Sequence, residues 1–142
     1  MATFYRICNR RNVGPYHTGH VPYREEFQDN ERHPTPGMEG IPFYGYDQIC
    51  GFTTLEQLQA WFDDSMLYAI ANDLEWSTFA ADPDPIPQFI VAFETEPDYI
   101  QPGIKQATAF DWSLRPVAYA PIPEFLESRT LCHPITSLNE LS

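Results

Sequence analysis

The sequence predicts an α+β fold: one compact domain over residues 1–142, with a small, mainly antiparallel sheet, two short helices and long Pro/Gly-rich loops. Three observations predict it. Apolar patterns follow one another in the order strand, long loop, helices, strands, which segregates helices from strands as an α+β domain does. Prolines number 14 in 142 residues, about twice the ordinary share, and each one removes a backbone donor and works against a helical bundle. Hydrophobic residues make up 43% and aromatics 15%, enough to bury a core and far from the low-hydrophobicity signature of disorder.

The elements follow in order. Thr3-Phe4-Tyr5-Arg6-Ile7-Cys8 is β-branched and aromatic and ends at Asn9-Arg10-Arg11-Asn12, so it predicts a first strand. Residues from about 9 to 42 carry Pro, Gly, His and Asn with no period of 2 or 3.6, which predicts a long irregular loop with a functional role or with short elements hidden inside it. Phe43 to Phe52 reads as one or two strands. Thr54 with Gln57, or Thr53 with Glu56, has capping-box spacing ahead of Leu55, Leu58, Ala60, Trp61 and Phe62, which predicts a helix. A second helix is expected over Ser65 to Leu74, behind the acidic starters Asp63 and Asp64. Asp82-Pro83-Asp84-Pro85-Ile86-Pro87 then forces an extended linker, because each residue before a proline is pushed out of the helical region.

Phe89 to Phe93 is a continuous apolar run suited to a buried strand, and Ile104 to Phe110 suits another. Leu114 to Ile122 carries Pro116 and Pro121, which predicts an edge strand. The tail, about residues 123–142, is expected to add a short helix at Glu124 to Arg129 and then fray.

Charge bounds the function. Asp and Glu number 20 against 8 Lys and Arg, for a net charge of −12. That excludes a nucleic-acid binder of the ordinary kind, which needs a basic patch to displace counterions. The excess is regional: residues 34–104 hold Glu39, Asp47, Glu56, Asp63, Asp64, Asp73, Glu75, Asp82, Asp84, Glu94, Glu96 and Asp98, with no Lys or Arg among them. Such a stretch is either a solvated face that keeps the protein in solution or a surface that docks on a basic partner. Asp63, Asp64, Asp73, Glu75, Asp82 and Asp84 are the candidate contacts, and among the aromatics Tyr44, Tyr46, Trp76 and Trp112 are candidate anchors.

No run reaches the roughly 20 apolar residues of a membrane span, and the first residues lack a leader pattern, so the chain is expected in the cytosol with no membrane partner. Cys8, Cys50 and Cys132 form an odd, widely spaced set that predicts reduced, mostly buried thiols. His17-x-x-His20, with His33 and Cys8, is the one metal-like group, but it offers no second ligand pair at the spacing zinc requires, so no metal is expected. Cys132-His133 are sequence neighbours, a poor arrangement for a nucleophile and its base. Walker A, GxGxxG, HExxH and GxSxG are all absent from the sequence.

Three pieces in order resemble the three-part signature of ADP-ribosyltransferases: Tyr5-Arg6 in the first strand, Phe52-Thr53-Thr54 ahead of a helix, and Glu94-Thr95-Glu96 in a late strand. Gln106-Ala107-Thr108 is the other candidate for the third piece, with threonine at the catalytic glutamate position. The resemblance implies NAD as cofactor, Arg6 on its phosphates, Thr53 beside the nicotinamide, and Glu94 or Glu96 stabilising the ribose cation. It equally admits a catalytically silent relative.

Tyr5-Arg6-Ile7, Gly14-Pro15-Tyr16, His33-Pro34-Thr35-Pro36, Gly51-Phe52 and Leu58-x-x-Trp61-Phe62 resemble a small phage- or prophage-borne accessory family of unknown function. That resemblance implies a non-catalytic, cofactor-free acidic protein in the host cytosol that inhibits or modulates a host protein, of defence or nucleic-acid-binding type, by covering its basic surface. A structural phage component is the further alternative, and self-association would mark it.

Overall fold

In the computed structural model, residues 1–12, 14, 20–22, 31–72, 76–78 and 89–141 are described. In chain order the strands are β1 (Ala2–Cys8), β2 (His20–Pro22) and β3 (Gln48–Gly51), followed by helices α1 (Leu55–Trp61) and α2 (Asp64–Ala71). Then come β4 (Trp76–Thr78), β5 (Phe89–Thr95), β6 (Ile100–Pro102), β7 (Ala107–Phe110) and β8 (Arg115–Pro121), helix α3 (Ile122–Ser128), and β9 (His133–Pro134). Short 3-10 turns lie at Pro36–Glu39, Pro97–Tyr99, Asp111–Ser113 and Leu138–Glu140. The α+β class expected from the sequence is what the structure has, with three helices among the described residues: the two expected in mid-chain, and α3 where a short helix was expected in the tail.

The strands form a four-stranded antiparallel sheet in the order β1-β5-β8-β9, a three-stranded one in the order β3-β7-β6, and the ribbon β2-β4. The apolar run in β5 is central in the larger sheet and buried on both faces, which is why it does not alternate. Ile7 of β1 and Ile90 of β5 face a cluster with Leu58, Trp61, Met66, Leu67 and Ile70 from α1 and α2 and Phe125 from α3. On the other face Phe4, Cys8, Val91 and Phe93 pack against Ala107 and Ala109 of β7 and against Ile135 and Leu141 of the tail.

The backbones of the two sheets meet where β3 ends against β1. Tyr5 and Phe52 exchange backbone hydrogen bonds of 2.7 and 2.9 Å, and next to them a Cβ on Gly51 would lie 2.4 Å from Cζ of Phe4. Only glycine lets β3 cross β1 this closely.

Helix starts follow the sequence signals. Thr54 accepts from the backbone N–H of Gln57 at 3.0 Å, and the Gln57 side chain accepts from the N–H of Thr53 at 2.8 Å, one residue earlier than a capping box requires. Asp63 caps α2 through the N–H of Met66 at 2.9 Å. That helix ends at Ala71, short of the expected Leu74.

The stretch from 9 to 42 contains β2 and the Pro36–Glu39 turn within its described part, so short elements do lie inside the expected loop. Two expectations are corrected. β8 is not an edge strand, since it lies between β5 and β9. β9 pairs only with Ala118 and Tyr119, between the two prolines, and Pro116 sits where the β5–β8 register shifts at Ala92/Phe93. The tail does not fray: Ile135 and Leu141 are buried, and Ser137 and Glu140 close a capping box. The Asp82–Pro87 linker lies outside the described residues.

Candidate functional site

Arg6 is buried, in β1. Its Nε donates to Oδ1 of Asn12 at 2.8 Å, Nη2 donates to the Asn12 carbonyl at 3.0 Å, and Nη1 donates to the carbonyl of Cys50. Asn12 reaches it from a left-handed backbone, φ 60°. Burial lowers the guanidinium pKa, against the pull of nearby Cys8, Cys50 and Asp111. Three of the five guanidinium N–H groups thus hold the turn after β1 to β3.

The residues of the transferase pattern are not brought together. In the antiparallel β1–β5 register Arg6 faces Val91 and Thr3 faces Glu94. Side chains alternate along a strand, so Arg6 and Glu94 point from opposite faces of the sheet. Glu94 instead lies 3.8 Å from Arg115 of β8. Glu96 falls beyond the strand end, exposed, ahead of the Pro97–Tyr99 turn. Thr53 donates its N–H and hydroxyl to Gln57 at the start of α1.

Of the six acids proposed as contacts, Asp73, Glu75, Asp82 and Asp84 lie outside the described residues. Asp63 pairs with Arg32 at 3.1 Å and Asp64 takes both guanidinium arms of Arg129 at 2.8 Å. That hydrogen bonding lowers the Asp64 pKa. These two acids are therefore part-neutralised by the chain's own arginines. Among the thiols, Cys8 is buried, whereas Cys50 and Cys132 are exposed, contrary to the expectation of mostly buried cysteines. In β3 alternation turns Cys50 outward while Gly51 takes the close crossing. His33 does not point to a metal group: its ring nitrogen Nε2 bonds the Trp61 carbonyl at 2.8 Å and the ring lies 4.8 Å from the indole.

The segments Arg6-Ile7, Gly14, His33-Pro34-Thr35-Pro36, Gly51-Phe52 and Trp61-Phe62, widely separated in sequence, converge on one cavity of about 400 Å³. Gln106 closes it from β7's side, donating to the Pro34 carbonyl at 2.6 Å. Apolar walls with a few convergent polar groups are the ordinary make-up of a small-molecule pocket.

A second feature is an aromatic face along the sheet β3-β7-β6. Trp112 stacks on Phe110 at 5.4 Å, Tyr99 meets Trp112 edge-on at 4.9 Å, and Tyr44 lies 6.1 Å from Phe110. Phe43 and Tyr46 form a further edge-on pair at 5.6 Å. Tyr46 is 98% exposed, Phe43 72% and Trp112 59%, which is unusual for rings that ordinarily bury.

Local chemistry holds the face in place. The Gln48 side chain accepts from the N–H of Tyr44 and donates to the Pro42 carbonyl and to Oγ1 of Thr108, each at 2.7 Å. Gly45, φ 152°, separates Tyr44 from Tyr46 in a conformation other residues resist. Asp47 accepts from the indole Nε1–H of Trp112 at 2.6 Å. With Glu96, Asp98 and Asp111 it gives the face exposed carboxylates, and residues 43–50, 96–102 and 107–114 contain no Lys or Arg. Tyr44, Tyr46 and Trp112 were legible as anchors. Phe43, Tyr99 and Phe110 with their acids were missed, because three separate segments build the face. Trp76 has no described side chain.

These features define a small antiparallel α+β protein whose outer surface is aromatic and carboxylate-rich, with no helix among the described residues long and apolar enough to cross a membrane. More particularly, it is a phage protein. The chain belongs to the family described as Bacteriophage T4 Y00F protein, whose model matches residues 1–115. No curated protein and no solved structure matches it.

Proposed function

We propose that this phage protein acts by binding, through the aromatic face of β3-β7-β6, an arginine- or lysine-rich surface of a host protein, and so inhibits or modulates that protein in the host cytosol. The observation that carries the reading is the set of rings in which exposed Phe43, Tyr44, Tyr46 and Trp112 adjoin half-buried Tyr99 and Phe110, with the exposed carboxylates of Asp47, Glu96, Asp98 and Asp111 on the same segments. Ring faces attract guanidinium and ammonium groups, and carboxylates around them supply charge-assisted acceptors. The acids first singled out by sequence, with two of them tied to Arg32 and Arg129, would add long-range steering rather than the anchoring contacts.

Capture from a bacterial lysate followed by mass spectrometry tests this. Wild-type protein should retain a discrete basic partner. A Tyr46→Ser/Trp112→Ser variant should lose it by about 30-fold or more in affinity, the scale of at least one hot-spot loss, and Glu96→Lys/Asp98→Lys should weaken it with a reduced salt slope. Equal capture by wild type and both variants would place the binding elsewhere. Under the alternative of an NAD-dependent transferase, NAD would raise the melting temperature. The opposite facing of Arg6 and Glu94 does not support that alternative. Self-association in light scattering would instead favour a structural phage component.

A further inference from the structure

We propose that Glu124, Cys132 and His133 form a binding site for a zinc-like divalent metal ion, with water completing the coordination. Glu124 projects from α3, and Cys132 and His133 lie at the entry to β9. The chain between them turns back at Arg129, φ 59°, whose N–H caps the helix on the Phe125 carbonyl at 2.7 Å. His133 Nε2 is 2.8 Å from each carboxylate oxygen of Glu124, and Sγ of Cys132 is 3.2 Å from Oε1. The three donor atoms all lie within 4.8 Å of one another.

One thiol, one imidazole and one carboxylate are the donor types zinc prefers, and three protein ligands with a water is a recurrent open zinc arrangement. Tetrahedral bonds of about 2.0–2.3 Å put ligand atoms about 3.3–3.6 Å apart. The Glu124 contacts would lengthen by roughly half an ångström, a small adjustment for part-exposed side chains. Tyr119, opposite His133 in the β8–β9 register, stacks on the imidazole at 5.1 Å and fixes its plane. The same geometry argues against a cysteine nucleophile, since thiol and imidazole both turn to the carboxylate rather than to each other. At 2.8 Å from carboxylate oxygens that only accept, Nε2 carries a hydrogen, so binding requires that proton to pass to Nδ1 or to solvent. The thiol likewise releases its proton to solvent, so affinity should fall with falling pH. All three residues lie outside residues 1–115 matched by the family, and the site does not depend on the aromatic face.

Cobalt(II) titration of the tag-free full chain tests the site. About one equivalent should produce a thiolate charge-transfer band and strong visible bands of low coordination number, reversed by zinc. Cys132→Ser should abolish the charge-transfer band, and His133→Ala and Glu124→Gln should each weaken binding by about tenfold or more, while Cys50→Ser leaves the spectrum intact. A spectrum that stays that of the aqueous ion, or a band that survives Cys132→Ser, would overturn the proposal. Zinc should also protect Cys132 but not Cys50 from iodoacetamide, and equal labelling of both with and without zinc would count against it in the same way.

Discussion

At the scale of single residues, Arg6 shows how an ion-binding side chain by type becomes a structural clamp by placement. Its three hydrogen bonds reach Asn12 and Cys50, and their removal leaves part-buried acceptors without that donor. Arg6→Leu should therefore cost about 2–3 kcal/mol in urea denaturation, and Arg6→Lys should fail to restore it, because a point charge cannot meet three oxygens in a fixed fork. A Leu variant as stable as wild type would remove the clamp from the account. The thiols give a second residue-scale prediction. Burial pushes the Cys8 thiol up to about 11 against the opposing pull of Arg6. Desolvation raises Cys50, and the hydrogen bond to Glu124 raises Cys132. At pH 8 the two exposed thiols should therefore react with Ellman's reagent more slowly than a free thiol, and the enclosed Cys8 should stay unreactive. Sequence placed Arg6 correctly in the first strand. Its partners were illegible because Asn12 supplies two of them only by adopting a left-handed turn.

At the scale of elements, the weak point of the architecture is the crossing of β3 over β1. A methyl on Gly51 would sit 2.6 Å from the Tyr5 carbonyl as well as against Phe4, and backbone cannot yield as a flexible side chain can. Gly51→Ala should destabilise by about 3 kcal/mol or more, whereas Thr54→Ala, which removes only the α1 cap, should cost about 1 kcal/mol. Thermal melts of both variants check the ranking, and a reversed order would mean that the sheets part more easily than their contact implies. The elements that were legible carry their own signal: the β-branched run of β1, the apolar run of β5, and the caps Thr54 and Asp63. β6 and β9 were not legible, being two or three residues long and existing only through partners distant in sequence. The same physics hid the interior position of β8, a strand that was legible as such, because its prolines are tolerated where β9 pairs between them and a register shift absorbs Pro116. The aromatic face was half legible for a related reason, since single exposed rings can be guessed but their assembly from three segments cannot.

At the scale of the whole molecule, the net charge of −12 acts on stability and on binding with opposite signs. Like charges repel in the compact state, and salt shortens their reach from about 30 Å at 0.01 M to about 3 Å at 1 M. Added sodium chloride should therefore raise the melting temperature, with only a small offset from the exposed pairs Arg32–Asp63 and Arg129–Asp64. The same salt should weaken capture of a basic partner. Falling pH separates the contributions further. The carboxyl pKa values of Asp64, Glu124 and Glu140 are depressed by hydrogen bonds from Arg129, from His133 and Cys132, and from the backbone of Thr136 and Ser137 respectively. Groups with depressed folded pKa values contribute stability that is present above their unfolded values and lost as pH falls through the folded ones. Mild acidification toward pH 5 should thus stabilise by relieving repulsion, and acidification below about pH 4.5 should destabilise as these contacts are protonated. Melting temperatures across pH at low and high salt measure this directly. A melting temperature that fell with salt at pH 7 would show that attractive pairs outweigh repulsion, and the acidic excess would then belong to the fold rather than to a partner.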